Sequence, residues 1–304
     1  AAAVEGKENT WEVTLGIQGK NYKTTSDVVL VIDNSNSMYP SETSKEDRMT
    51  KTKAAANAFV DTLLTEDSTT RIALVVYNLN ETHTGFYTYE NKAALKHQID
   101  AIAKSRPEKL GGTFTQLGLH TARTLLNSAE STGQNKNIVL LSDGEPTASY
   151  RIGGSITCTE DIEFKDYTFF IGVTKYATSN INWATAQINC NYNKVDGNGE
   201  EFVTDAASGL EITGCKHASD GGDDYITHGI ATIWESNQAK ADGTTIYSVA
   251  LQVGTNGEQV LKACATNPTK GYFAIGSSTN IETALKDAFT SIAGSISIAA
   301  RAGS

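Results

Sequence analysis

The chain has 304 residues, 39% of them hydrophobic and 20% charged, which leaves room for a large core or for one domain carrying insertions. Its formal net charge of −10 argues against a nucleic-acid partner, which would call for a basic patch or stripe. No apolar run approaches the ~20 residues that span a bilayer, so membrane insertion is not expected, and the opening Ala-Ala-Ala-Val-Glu-Gly-Lys lacks the basic region and apolar core of a signal peptide.

Four cysteines, Cys158, Cys190, Cys215 and Cys264, form no Cys-x-x-Cys pair and have no histidine at zinc-ligand spacing. The even count, with three of them in a polar, Gly-rich region, leads to an expectation of two disulfides of open connectivity. Buried free thiols are the alternative.

Residues 9–18 alternate apolar and polar from Trp11 to Ile17 and read as a half-buried strand. A polar linker, Gly19 to Ser26, separates it from the stretch Asp27 to Ser37. There Val28 to Ile32, mostly β-branched, predict a strand buried on both faces. The run stops at Asp33, and Ser35 and Ser37 follow at every second position. In an extended segment the three side chains would share one side and converge beyond the strand's carboxyl end. Open parallel α/β sheets bind ligands in that crevice, and hard oxygen donors there suit Mg²⁺ or Ca²⁺.

A helix is expected over Glu46 to Leu64, with Met49, Ala56, Phe59, Val60, Leu63 and Leu64 on one stripe. Arg71 to Tyr77 predict a second buried strand, residues 82–89 a short edge strand, and Asn91 to Ala103 a helix. Gly111-Gly112-Thr113 opens another helix, carrying Leu117, Leu119, Leu125 and Leu126. Asn137 to Ser142 predict a further buried strand that also ends in an aspartate, Asp143. This alternation means βαβ units and a mainly parallel sheet with helices on both faces.

From Ala148 to Tyr225 the alternation stops, with glycine clusters and short β-like pieces such as Tyr167 to Val173. About 75 structureless residues would be improbable inside a compact domain. An inserted β-rich, partly irregular subdomain is the better account, its aromatics (Tyr167, Phe169, Phe170, Tyr176, Trp183, Tyr192) forming a small core of its own. Regularity returns with a helix from Ile226 to Ala239, a strand from Thr245 to Val253, a short helix around Glu258 to Ala265, a strand from Gly271 to Ile275, and a closing helix from Ile281 to Ile298.

Three turns now carry oxygen ligands: Asp33/Ser35/Ser37, Thr113 or Thr115, and Asp143. Each alone reads more simply as a helix cap or a polar loop. Together, Asp-x-Ser-x-Ser, Gly-Gly-Thr-x-Thr and Ser-Asp-Gly-x-Pro resemble the von Willebrand factor A (integrin I-like) domain family over about 27–147 and 226–298. The resemblance implies a Rossmann-like doubly wound sheet and a metal-ion-dependent adhesion site of Asp33, Ser35, Ser37, Thr113 and Asp143. Thr113 is preferred over Thr115 because the family's threonine precedes a helix glycine by five positions, as Thr113 precedes Gly118. The metal implied is Mg²⁺, with Ca²⁺ or Mn²⁺ as alternatives. Arms inserted after the Asp-Gly-x-Pro turn look like those of Gram-positive, especially streptococcal, pilus tip adhesins. That likeness implies residues 1–26 as a strand and linker shared with a neighbouring stalk domain, 27–147 and 226–304 as the A domain, and 148–225 as the arms.

The function implied is metal-dependent adhesion at the bacterial cell surface. The ion would take an acidic side chain from a host extracellular-matrix or cell-surface protein, and absent flanking domains would join a pilus backbone subunit. Two carboxylates and three hydroxyls leave a divalent ion weakly neutralised, which favours gripping a partner's carboxylate. A metal-dependent hydrolase is the rival, but it needs a general base, and His83, His97, His120, His217 and His228 stand apart from the three turns in sequence. Glu145 reads as a surface or supporting residue. There is no Gly-x-Ser-x-Gly elbow and no phosphate loop, so no enzyme is expected. An intracellular adaptor for an ATPase or chelatase is a further alternative with the same metal site.

Overall fold

The computed structural model describes residues 2–3, 6–8, 11–12, 24–41, 44–103, 112–144, 146–149, 152–157, 163–169, 172–178, 187–192, 210–213, 228–276 and 280–302. Near the N-terminus β1 (Ala2–Ala3) pairs antiparallel with β2 (Trp11–Glu12) as a small sheet of its own. Trp11 to Glu12 is thus extended as expected; residues 13–23, the remainder of that expected strand and most of its linker, lie outside the described residues.

The main sheet is built from β3 (Ser26–Asp33), β4 (Thr70–Tyr77), β5 (Glu81–His83), β6 (Asn135–Ser142), β12 (Thr245–Leu251) and β13 (Tyr272–Ile275). Its order is β13-β12-β6-β3-β4-β5, parallel throughout except for the antiparallel edge strand β5. This is the Rossmann-like, mainly parallel sheet. The strand read as buried on both faces, β3, lies between β4 and β6, and every residue of it is buried.

Alternation along β3 divides the interior into two cores. Val29 and Val31 face α3 (Thr115–Asn127), α4 (His228–Ala241) and α5 (Thr255–Cys264). Val28, Leu30 and Ile32 face α1 (Arg48–Leu63), α2 (Lys92–Asp100) and α6 (Ile281–Ala302). On the second face Phe59 of α1 meets Phe289 of α6 with ring centroids 5.3 Å apart and planes tilted by 56°, a favourable offset geometry.

Helix and strand ends differ from expectation for local reasons. Helix α1 starts at Arg48, because the Asp47 side chain caps it by accepting from the Thr50 backbone N–H at 3.0 Å. Strand β12 stops at Leu251, because Gln252 turns left-handed with φ 55° while its N–H donates to the Ile275 carbonyl at 2.8 Å. The edge strand expected over 82–89 shrinks to Glu81–His83 plus one bridge between Ile72 and Tyr87.

Within the expected insertion, β7 (Ile152–Thr157) pairs antiparallel with β10 (Gln187–Tyr192) and parallel with β11 (Leu210–Thr213). Strands β8 (Glu163–Phe169) and β9 (Gly172–Thr178) pair with each other, Phe169 opposite Gly172. Tyr167 to Val173 is therefore not one strand, since its two ends belong to antiparallel partners. Of the expected aromatic core of this region, Phe170 and Trp183 and the side chains of Tyr167, Phe169, Tyr176 and Tyr192 lie outside the described residues.

The two-disulfide expectation is corrected at Cys264, a free thiol that is 0% exposed among the residues joining α4, α5 and the sheet. Burial pushes that thiol up to about 11, offset in part by Lys240 and Ser236. Cys158 and Cys215, and the side chain of Cys190, lie outside the described residues. Among the described residues no helix is long and apolar enough to cross a membrane.

Candidate metal centre

Parallel register brings the carboxyl ends of the strands to one edge. Asp33 pairs with Tyr77 on β4, Ile32 with Leu141 on β6, and Ala250 with Ser142. Asp33, Asp143 and the turn at Gln252 therefore share that edge.

Asp33 is 0% exposed, and its two oxygens are held from different segments. Oδ1 accepts the Ser35 backbone N–H at 2.8 Å, and Oδ2 accepts the Ser142 hydroxyl at 2.6 Å. Beyond Asp33 the chain does not stay extended. The Ser35 carbonyl accepts the Met38 N–H at 3.1 Å and starts a 3-10 turn over Asn36–Met38, which the buried Met38 side chain anchors in the core. Convergence of Ser35 and Ser37 thus comes from this turn and not from strand alternation. Their hydroxyls lie 2.9 Å apart, and Ser37 donates to Asp143 Oδ1 at 2.7 Å, with Ser35 Oγ 3.5 Å from the same atom.

Thr113 sits just ahead of α3 and is tied to the loop after Asp143. Its N–H donates to Thr147 Oγ1 and its carbonyl accepts the Thr147 N–H, each at 2.8 Å. Gly144 lies between them: a methyl group there would stand 3.5 Å from Thr113 Oγ1 and 3.9 Å from Ser37 Oγ, ordinary van der Waals contact with both. Thr115, the alternative, is buried, and its hydroxyl accepts from Tyr77 at 3.3 Å. The five expected residues thus gather at one edge: Asp33, Ser35, Ser37 and Asp143 are joined by hydrogen bonds, and Thr113 is placed across Gly144.

Asp33 is buried and faces a second carboxylate, Asp143, across one hydroxyl cluster. Burial, and then the charge of Asp143, push the Asp33 carboxyl up from 3.8 to about 7, against the hydrogen bonds from Ser142 and Ser35. Burial, with Asp33 next, also pushes the Tyr77 hydroxyl well up. A donor set of two carboxylates and three hydroxyls with no nitrogen or sulfur fits a hard divalent cation. No cluster of three or more His, Cys, Asp or Glu side chains able to hold a metal occurs among the described residues, so the hydroxyls are essential to this donor set.

Arg48, Ser142, Gln252 and Thr147 complete the site and were not singled out from the sequence. Ser142 lies inside the Ser-Asp-Gly motif, where alternation on β6 could have shown it. Arg48 has no such signal, since its ion pair is with Asp143, 95 positions away. Among the described residues, His83 bonds Glu81 at 3.0 Å and His120 bonds Glu235 at 3.2 Å.

The family model that matches is the von Willebrand factor type A domain, over residues 27–193. This chain belongs to the von Willebrand factor type A family. Minor fimbrium subunit Mfa5 of Porphyromonas gingivalis is 36% identical over 147 residues, covering 47% of this chain and 11% of that protein. Integrin alpha-1 of Gallus gallus is 30% identical over 169 residues, covering 52% of this chain and 53% of that protein. The chain therefore spans a small part of the first relative and about half of the second.

The solved von Willebrand factor domain of the type V pili tip protein Mfa5 superposes with a TM-score of 0.65 at 22% identity, over 93% of this chain and 98% of that one. The pilus adhesin RrgA of Streptococcus pneumoniae gives 0.54 at 18% identity, over 88% and 44%. The von Willebrand factor A fold implied by the three turns is thus shared with a domain of one pili tip protein, and the chain's fold is similar to that of a streptococcal pilus adhesin.

Proposed function

We propose that this chain is the metal-dependent adhesive domain of a bacterial pilus tip protein. One observation carries the reading: two buried carboxylates, Asp33 and Asp143, meet a cluster of hydroxyls at the carboxyl edge of a parallel sheet. Asp33, Ser35, Ser37, Thr113 and Asp143 would hold Mg²⁺, with Ca²⁺ or Mn²⁺ as substitutes. When bound, the ion would supply a positive charge to grip an acidic side chain of a host extracellular-matrix or cell-surface protein.

The residues do the remaining work. Ser142 and the Ser35 N–H fix both oxygens of Asp33, and Arg48 fixes one oxygen of Asp143. Binding and not bond cleavage is favoured by the fimbrial and pilus tip relatives. Residues 27–147 and 226–304 form the adhesive domain, 148–225 its arms, and 1–26 the link to a neighbouring stalk domain. Such stalk domains would join the pilus backbone subunit and display the site on the cell surface. The fimbrial and pilus tip relatives support this placement.

The test is binding to a panel of matrix proteins, including collagen and fibronectin, in Mg²⁺ and in EDTA. Retention lost on chelation and in Asp33→Ala is expected. Equal retention in EDTA or in Asp33→Ala overturns the reading.

A further inference from the structure

Arg48 opens α1, and its guanidinium spans three loops at the site's edge. Nη1 donates to Asp143 Oδ2 at 2.5 Å and reaches the Ser37 carbonyl at 3.3 Å, while Nε donates to Gln252 Oε1 at 2.9 Å. The Asp143 side chain is 0% exposed and the Arg48 side chain 19%, so the carboxylate of this ion pair is buried while its guanidinium keeps contact with solvent. Asp143 is thereby divided: one oxygen faces the guanidinium, and the other, Oδ1, faces the Ser35 and Ser37 hydroxyls. Gln252 is itself held, by the bond from its N–H to the Ile275 carbonyl, so the guanidinium is clamped from two sides.

We infer that Arg48 is a positioning residue that sets the charge of the metal site, weakening its grip on the cation while leaving that cation short of negative charge for a partner's carboxylate. The inference rests on the metal reading above. With both carboxylates ionised, two negative charges against one guanidinium leave the protein side singly negative. A divalent ion there keeps one positive charge, which a partner's carboxylate cancels. Without the guanidinium the ion would already be neutralised. Asp143 Oδ1 would still be held by the Ser37 hydroxyl, so the charge effect governs the outcome. A residue that only stapled loops together would lower stability when removed, and it would not tighten metal binding.

The probes are Mn²⁺, read by paramagnetic resonance, and acetate added to the Mn²⁺-loaded chain, read by proton relaxation. Removing a unit charge from beside a divalent ion is worth about tenfold at near-aqueous screening, so Arg48→Gln is expected to bind Mn²⁺ about tenfold more tightly. The same variant should hold acetate more weakly than the wild type. Arg48→Lys, which keeps the charge, should not tighten Mn²⁺ binding. Gln252→Glu sets a carboxylate against the Arg48 Nε without touching Asp143, and it should also tighten Mn²⁺ binding, by about threefold. This second variant decides the matter if Arg48→Gln does not fold. Unchanged or weaker Mn²⁺ binding in Arg48→Gln and in Gln252→Glu, beside a wild type that binds, overturns the inference alone. A wild type that binds no Mn²⁺ overturns the metal reading itself.

Discussion

Ser142 donates its hydroxyl to Asp33 Oδ2 at 2.6 Å, from the neighbouring strand, one position beyond the Ile32–Leu141 pairing. This bond couples the first and third turns of the proposed metal site through the sheet itself, with both residues buried. A hydrogen bond to a charged group contributes about 1.5–3 kcal/mol, and here it favours the ionised Asp33 that a cation needs. Ser142→Ala should therefore weaken Mg²⁺ binding at neutral pH by about tenfold or more, measured calorimetrically. An unchanged affinity would show that the bond does not hold the ligand in its binding state.

The raised Asp33 carboxyl makes two opposite pH dependences. Its folded value of about 7 lies above the ordinary 3.8, so between those values the folded, metal-free chain keeps a proton that the unfolded chain has released. The contribution of Asp33 to metal-free stability is therefore fully present below about 4, is lost as pH rises towards 7, and is level above that. Mg²⁺ affinity should run the other way, climbing up to about pH 7 as the competing proton leaves. Urea midpoints in EDTA across this range, compared with Asp33→Asn, check the first trend, and calorimetric titrations check the second. Parallel stability profiles for wild type and Asp33→Asn would contradict it.

Most of the sheet is legible along the chain, because each strand of a parallel sheet covered on both faces is a short apolar run. Val28 to Ile32 show this, and Asp33 marks where the run reaches the sheet's edge. The short motifs point to the residues proposed as ligands, but the geometry of Ser35 and Ser37 is not legible. Period-two reasoning assumes an extended backbone, whereas the Met38-anchored turn supplies the convergence. Arg48 and Gln252 escape notice because their partnership spans 204 positions. Cysteine arithmetic fails at Cys264 for a similar reason: parity counts residues, whereas pairing depends on a helix position that buries this thiol in the core.

At the opposite end of β3, Asp27 is buried with four donors around it. Arg71 forms a two-pronged pair through Nε at 2.8 Å and Nη2 at 2.7 Å, and Ser131 Oγ and the Gly133 N–H each donate at 2.8 Å. Asp27→Ala takes the carboxylate from the guanidinium, whose Nη2 keeps only the Glu130 carbonyl at 3.1 Å, and from the Ser131 hydroxyl and Gly133 N–H. Breaking one side of such a pair costs about 3–5 kcal/mol. A marked fall in the denaturation midpoint is expected, with Mg²⁺ affinity of the folded fraction unchanged, because the lesion lies at the far edge of the sheet. A loss of Mg²⁺ affinity in the folded variant would show that the two edges are coupled.

Gly118 lets α3 lie close against the sheet. A Cβ there would stand 2.6 Å from Tyr77 Cδ1 and 3.0 Å from Val31 Cγ1, and both of those residues are 0% exposed and cannot retreat. Gly118→Ala therefore has to lift the helix, and overpacking of this kind costs about 1–3 kcal/mol. The helix begins at Thr115, two residues after Thr113, so lifting it also draws the Thr113 hydroxyl away from Ser37 and Asp143. The variant should lose both thermal stability and Mg²⁺ affinity, in contrast to Asp27→Ala, which loses stability alone. Thermal denaturation read with and without Mg²⁺ separates the two: the metal-induced rise should shrink in Gly118→Ala and persist in Asp27→Ala. A full metal-induced rise in Gly118→Ala would remove Thr113 from the ligand set.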